Sequence, residues 1–422
     1  MGDKIRKNQK TSLEKARTPN LDFLAKNGRC GLVSTVGEKI APESDIALTA
    51  ILGYDPFKYY TGRGPLEAFG MGIRVSLEAH GLGVDLNEKD LVLRANFATI
   101  NDKGKIIDRR AGRTLTTKEA VKLARRINSK VKLDHPFLFQ SEGEHRAILV
   151  IEGDFSPNIS NTDPGYAKEG MFGVVSNKKI DKFLESKALD KSHQSKKAAL
   201  AVNQFVEKTI EVLKESKVNK ERVKKGFLPA NIVLTRDAGT KLPNFPLKKE
   251  KWAAVVGYPL EVGLAKKSGM KAFKVSYPEL KERNIYKYLY RCLNAEIEKA
   301  LNVLKKELDN FSSFWIHFKP VDIPGHDGRE KDKIKMIEIL DKKFFKILVE
   351  HLGKNRNLKI IVTADHATPC SLKLHSADLV PILVYDGVHK DKVAKFGEQY
   401  CRKGTIGHIM GKDIIKKLTV KN

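Results

Sequence analysis

Ser312-Ser313-Phe314-Trp315-Ile316-His317-Phe318-Lys319 opens into Asp322-Ile323-Pro324-Gly325-His326-Asp327, and later Leu358-Lys359-Ile360-Ile361-Val362-Thr363 opens into Asp365-His366, with His375 soon after. Each apolar run reads as a buried strand bounded by Pro and Gly. The carboxylates and imidazoles then stand just past the carboxyl ends of strands, where open α/β sheets hold their ligands. Two aspartates and three histidines are mixed oxygen and nitrogen donors, suited to Mn, Co, Zn or Fe. In outline this is a two-metal site.

Bulk properties narrow the class. The chain has 422 residues, 41% hydrophobic and 31% charged, enough for two domains with full cores. No apolar run approaches the roughly 18 residues of a membrane span. Met1-Gly2-Asp3-Lys4-Ile5-Arg6 is basic but leads into no apolar core, and Arg6 stands where a myristoylation signal needs Ser or Thr. Cys30, Cys292, Cys370 and Cys401 have neither finger nor framework spacing, which fits a reducing, cytoplasmic setting. The net charge is +27, yet the lysines run along the whole chain and, over 178–225, alternate with acids at helical spacing. That texture marks solvated helix faces rather than a nucleic-acid surface, and a basic protein also steers in an acidic, phosphorylated substrate.

Along the chain, Thr18-Pro19 opens a short helix stopped by Gly28, and a strand follows over 31–36. Ser44 begins a helix over 44–52, and Tyr59-Tyr60-Thr61-Gly62-Arg63-Gly64-Pro65 is a glycine-rich loop. From about residue 77, strand-like runs (91–98, 147–152, 231–235) alternate with Lys-rich helices, one opened by the capping box Thr116-x-x-Glu119. After Pro246 come a strand at 252–258, a long helix at 282–311, the two site-bearing strands, a helix at 333–351 closed by Gly353, and a strand at 379–385. The expected fold is α/β: a doubly wound sheet domain from 1–76 and 246–422, with a second α/β domain inserted at 77–245.

Ser44 is the candidate nucleophile. A hydroxyl at a helix N-terminus faces unpaired N–H groups and the positive end of the dipole, which favours an attached phosphate. Its ordinary pKa leaves it inert without a base or a metal, and a two-metal site supplies that need. The plainer alternative is a capping serine.

Taken together, Glu43-Ser44-Asp45-x-Ala47, Gly53-Tyr54-Asp55-Pro56…Gly62-Arg63-Gly64-Pro65-Leu66-Glu67-Ala68, Arg94-Ala95-Asn96-Phe97-Ala98-Thr99, Asp108-Arg109-Arg110-Ala111-Gly112-Arg113, Lys319-x-x-Asp322-x-x-Gly325-His326-Asp327 and Asp365-His366-x-Thr368-Pro369-Cys370…His375-Ser376 resemble the archaeal-type, cofactor-independent phosphoglycerate mutases of the alkaline-phosphatase superfamily. The resemblance runs from about residue 2 to residue 415. It implies an isomerase of glycolysis and gluconeogenesis that interconverts 3-phosphoglycerate and 2-phosphoglycerate through a phosphoserine at Ser44. It also implies two divalent metal ions (Mn, Co, Zn or Mg), one held by Asp322, His326 and His375 and one by Ser44, Asp365 and His366. Asp108, Arg109, Arg113, His145, Arg146, Arg236 and Lys319 would bind the substrate, and Arg suits carboxylate and phosphate because it binds them bidentately. Single arginines here are otherwise solvated charges, and Lys319 otherwise a structural lysine.

Some positions depart from the pattern. Family members begin with an apolar strand ending in Asp-Gly-x-Gly-Asp, and Met1-Gly2-Asp3 aligns just after its first, metal-binding Asp. The second metal is therefore expected to lack a ligand, and the first residues are expected to be disordered. Tyr277-Pro278-Glu279-Leu280 replaces Gly-Ala-Thr-Gly, and Asp163-Pro164-Gly165 replaces Asp-Pro-His. Glu43 adds a negative charge next to the nucleophile. The competing readings are a related metal-dependent phosphatase or phosphomutase with another substrate, and an inactive basic binding protein; a homo-oligomer is left open.

Overall fold

A computed structural model describes residues 2–6, 9–75, 85–170, 172–176, 181–281, 284–352 and 358–418. Gly353 and the expected domain break at 76/77 lie outside them. The chain forms two compact units, residues 1–59 with 289–422, and residues 60–288. Among the described residues no helix is long and apolar enough to cross a membrane.

Among the described residues, the unit built from both chain ends carries a four-stranded sheet in the order Ile360–Val362, Val380–Tyr385, Arg29–Ser34, Gly407–Met410. The first two pairings are antiparallel and the third is parallel. The segment between Val362 and Val380 turns back as a loop instead of crossing over through a helix, so these neighbours must run antiparallel. The sheet is therefore mixed, within the α/β fold that was expected. Val33, Val380, Ile382 and Val384 form a core with Ala364 and Ala367. Those two alanines are buried on either side of Asp365-His366, so the loop is anchored by apolar side chains that flank its polar pair. Ser313–Ile316 is the other strand that leads into the site. The expected helix at 333–351 begins earlier, as Glu330–Leu340, and runs through one wider π-type turn, Asp341–Phe345, into Lys346–Leu352.

The expectation of a disordered start is corrected. Gly2 bridges Ala367 in parallel, and its carbonyl accepts from Thr368 N at 3.1 Å and from Lys333 Nζ at 2.9 Å. Asp3 is buried and accepts from Ser12 Oγ at 2.7 Å, with Lys333 Nζ 3.7 Å away. Buried backbone groups that find partners hold a segment in place without any core of its own.

The second unit holds an antiparallel sheet in the order Ile232–Gly239, Leu91–Ile100, Arg146–Ile151, Phe137–Gly143. Leu91–Ile100 is buried along its whole length. Alternate residues explain why: Leu91, Leu93, Ala95 and Phe97 join a core with helices Thr117–Lys130 and His193–Lys214, whereas Val92 packs with Ala68, Ile148 and Val150 on the opposite face. The opposite face is covered by helix Arg63–Gly70, which crosses helix Pro259–Lys267 closely. A Cβ at Gly70 would lie 1.8 Å from Pro259 O, and one at Gly263 2.0 Å from Leu66 O. Both helices belong to the unit of residues 60–288. Helix Thr117–Lys130 starts with the capping box read from Thr116 and Glu119.

Candidate active site

Ser44 is the first residue of helix Ser44–Ile51, whose cap position is Glu43. It is therefore not a capping serine. It is buried, and its Oγ is met by two groups: Lys319 Nζ donates to it at 2.8 Å, and His366 Nε2 lies 3.1 Å away. Lys319 follows strand Ser313–Ile316 and also approaches Asp322 Oδ2 at 3.2 Å. Asp322 ends a short 3-10 turn, Pro320–Asp322, and His326 lies in the helical turn Ile323–Asp327.

The three imidazoles share one orientation logic. His375 Nδ1 lies 2.8 Å from Pro42 O and His326 Nδ1 3.3 Å from Lys373 O. A carbonyl only accepts, so each Nδ1 carries a proton, and in the neutral ring Nε2 presents a lone pair. Thr368 Oγ1 donates to Asp322 Oδ1 at 2.9 Å and therefore accepts from His366 Nδ1 at 3.0 Å, which leaves His366 Nε2 a lone pair as well. Donor atoms of Asp322, His366 and His375 lie within 4.8 Å of one another. His326 Nε2 is 3.1 Å from His375 Nε2 and 3.4 Å from Asp322 Oδ2. Two lone pairs facing each other at such a distance are favourable only around a shared cation or proton. Asp365 Oδ2, buried and without a hydrogen bond, lies 3.2 Å from His366 Nε2. The donor set fits divalent metal.

Charge is organised to match. Burial alone would raise the Asp322 carboxyl, but Lys319, His326 and His366 hold it well below the usual carboxylate range. Asp365 is likewise held low against burial by His366, Lys319 and His317. Burial, followed by the neighbouring His366, pushes His375 well below the usual imidazole range, which keeps it neutral. Glu43 Oε1 lies 3.5 Å from His375 Nδ1, at the end of the ring away from Nε2.

The residues expected to bind substrate all lie in the other unit, apart from Lys319, and fall into three roles there. Asp108 Oδ1 accepts from Arg110 N at 2.7 Å and Gly112 N at 2.9 Å, so it shapes its own turn. Arg109 binds Asp163 bidentately at 2.7 and 2.9 Å. Its guanidinium carbon would lie 2.1 Å from a Cβ at Gly165, so it fills the space that a side chain at 165 would take. Arg109 and Arg236 stand over the Tyr166 ring at 4.7 and 3.7 Å, and Arg236 also pairs with Asp237. Arg113, Arg110, Arg146 and Arg94 surround the buried His145; burial first and then these cations hold it well below the usual range, hence neutral. Arg146 bonds Glu144 at 2.7 Å and lies over Tyr258, against which Tyr277 of the substituted loop packs at a tilt with ring centroids 5.3 Å apart.

Sequence reasoning missed Thr368, Lys333, His317 and Tyr166 as parts of these groups. His317, 3.9 Å from Asp365, and Thr368 sit two residues from singled-out positions, a usable signal. Lys333 is one lysine of an amphipathic helix and gives none.

A family profile described as 2,3-bisphosphoglycerate-independent phosphoglycerate mutase matches residues 25–219. Proteins of that name from Aeropyrum pernix and Thermococcus kodakarensis are 36% and 39% identical, over 95% and 96% of this chain and 92% and 90% of their own lengths. A solved structure from Pyrococcus horikoshii shares 29% identity at a TM-score of 0.71, over 99% of this chain and 94% of that one. The cofactor-independent phosphoglycerate mutase of Thermoplasma acidophilum shares 31% identity at a TM-score of 0.51, over 97% and 93%. With relatives this similar along nearly its whole length, the chain belongs to the 2,3-bisphosphoglycerate-independent phosphoglycerate mutase family.

Proposed function

We propose that the protein interconverts 3-phosphoglycerate and 2-phosphoglycerate by passing the phosphoryl group through Ser44. The observation that carries this reading is the double contact on Ser44 Oγ, a Lys319 donor at 2.8 Å and His366 Nε2 at 3.1 Å. Oγ, oriented by both contacts, attacks phosphorus as the bond from phosphorus to the glycerate oxygen breaks; the hydroxyl proton ends on the departing glycerate oxygen, and Lys319 stabilises the charge that develops on oxygen. Asp322, His326 and His375, and separately Ser44, Asp365 and His366, are the donor sets for two divalent ions among Mn, Co, Zn and Mg. Bound there, such ions lower the cost of the serine alkoxide and neutralise phosphoryl oxygens. Arg109, Arg113, Arg146 and Arg236 offer the guanidinium forks that carboxylate and phosphate require, while Asp108 holds the turn that carries Arg113. This cationic set favours a mutase over a simple phosphatase, because the dephosphorylated glycerate must be retained until the phosphoryl group returns.

Mass spectrometry after incubation with 3-phosphoglycerate is expected to find the added phosphate on Ser44. Ser44→Ala is expected to abolish turnover with little loss of stability, since Ser44 is not the cap. Activity retained in that variant refutes the assignment.

A further inference from the structure

Ala111, Gly112 and Arg113 adopt φ of 48°, 67° and 54° in succession. Left-handed backbone is costly for residues with a Cβ and normally occurs singly, so a run of three, two of them not glycine, persists only where its surroundings over-determine it. The structure supplies that constraint from two sides. The Asp108 carboxylate takes the amides of Arg110 and Gly112. On the other side Arg222, with a side chain 1% exposed, takes the oxygens: Nη1 donates to Thr114 O at 3.0 Å, Nη2 to Ala111 O at 3.4 Å and to Thr114 Oγ1 at 3.0 Å. Its Nε donates to Leu228 O at 3.0 Å, and Glu119 at 3.0 Å balances its charge.

We propose that Arg222 is a positioning residue for substrate binding: it locks the left-handed turn Ala111–Arg113 and thereby sets where Arg110 and Arg113 stand beside His145. Buried as it is, Arg222 touches no ligand itself and acts through the turn. The planar fork matters, because one ammonium could not serve four separate oxygens and a carboxylate at these angles. The functional consequence rests on the mutase reading above; the clamp itself does not.

Two variants and two readouts test it. Arg222→Met and Arg222→Lys are expected to open the turn to trypsin after Arg110 and Arg113 while leaving the circular dichroism of the rest of the chain intact. In steady-state assays both are expected to raise KM for 3-phosphoglycerate by about tenfold or more with kcat changed by less than about twofold, the signature of lost binding rather than lost chemistry. Simple destabilisation would instead lower the active fraction and leave KM where it was. Should Arg222→Met fail to fold, Arg222→Lys keeps a charge opposite Glu119 and carries both readouts. Wild-type cleavage rates together with wild-type KM in the folded variants overturn the proposal. An inactive wild-type protein overturns the mutase reading alone, and the proteolysis then decides the clamp.

Discussion

Replacing Thr368 by Val keeps the shape of the side chain and deletes only its hydroxyl. That hydroxyl donates to Asp322 Oδ1 at 2.9 Å and accepts from His366 Nδ1 at 3.0 Å, so a single atom couples two proposed metal ligands. The hydrogen bond to a carboxylate contributes about 1.5–3 kcal/mol, and leaving the buried imidazole N–H unpaired costs about 1–3 kcal/mol. The two effects share one site and do not simply add, so roughly 2–4 kcal/mol of folded-state stability is at stake. More telling is the tautomer. Without an acceptor at Nδ1, His366 has no reason to keep its proton there, and a proton on Nε2 points into the ligand set and at Ser44. Outer-sphere partners of this kind are worth about 10–100-fold in metal affinity. Chelator-competition titration with Mn(II) measures the affinity, and histidine 15N shifts report the tautomer. If Thr368→Val binds Mn(II) as tightly as the unaltered protein, the orienting role assigned to Thr368 is wrong.

Three further outcomes follow from the same geometry. Lys319→Met removes the donor to Ser44 Oγ and is expected to lower kcat by about 10²–10³-fold, while metal affinity holds or rises because a cation beside Asp322 has gone; a parallel loss of metal affinity refutes this division of labour. Gly165→Ala places a methyl where the Arg109 guanidinium lies and strips the fully buried Asp163 of its partner, so thermal unfolding should show a loss of about 3 kcal/mol or more; an unchanged melting temperature contradicts that packing. Glu398 is buried, which pushes its carboxyl from its ordinary 4.5 up to about 7 despite the hydrogen bond from Thr11. The folded state then holds a proton that the unfolded chain has released, so this group's contribution falls as pH rises from about 4.5 to 7, by about 3 kcal/mol. In Glu398→Gln that decline should vanish from melting temperatures measured across the window, and an identical pH profile in both proteins counts against it.

How far these properties were legible differs by residue. Strands running into Asp322 and Asp365-His366, the helix beginning at Ser44 and the capping box at Thr116 follow from hydrophobic period and local capping chemistry, which act over a few residues and are written in the order of the chain. The mixed hydrogen-bonding of the sheet is not, because whether a strand meets its neighbour parallel or antiparallel depends on the path of the loop between them. Nor is the pairing of helices Arg63–Gly70 and Pro259–Lys267, decided by a crossing close enough to demand glycine at 70 and 263. Asp108 and Arg109 read as a clamp for substrate because acids and guanidinium groups suit it. That Asp108 also accepts from its own backbone amides, and that Arg109 pairs with Asp163 beside Gly165, follows from the fold alone. Thr368 joins His366 to Asp322, and Lys333 joins Gly2 to Thr368, across separations of 46 and 331 residues for the hydroxyl–carboxylate and ammonium–carbonyl bonds. The sequence by itself determined which side chains could ligate, attack or carry charge. Which nitrogen of each imidazole keeps its proton, and which arginine turns inward, only the tertiary structure decided, because those choices belong to partners that meet through folding alone.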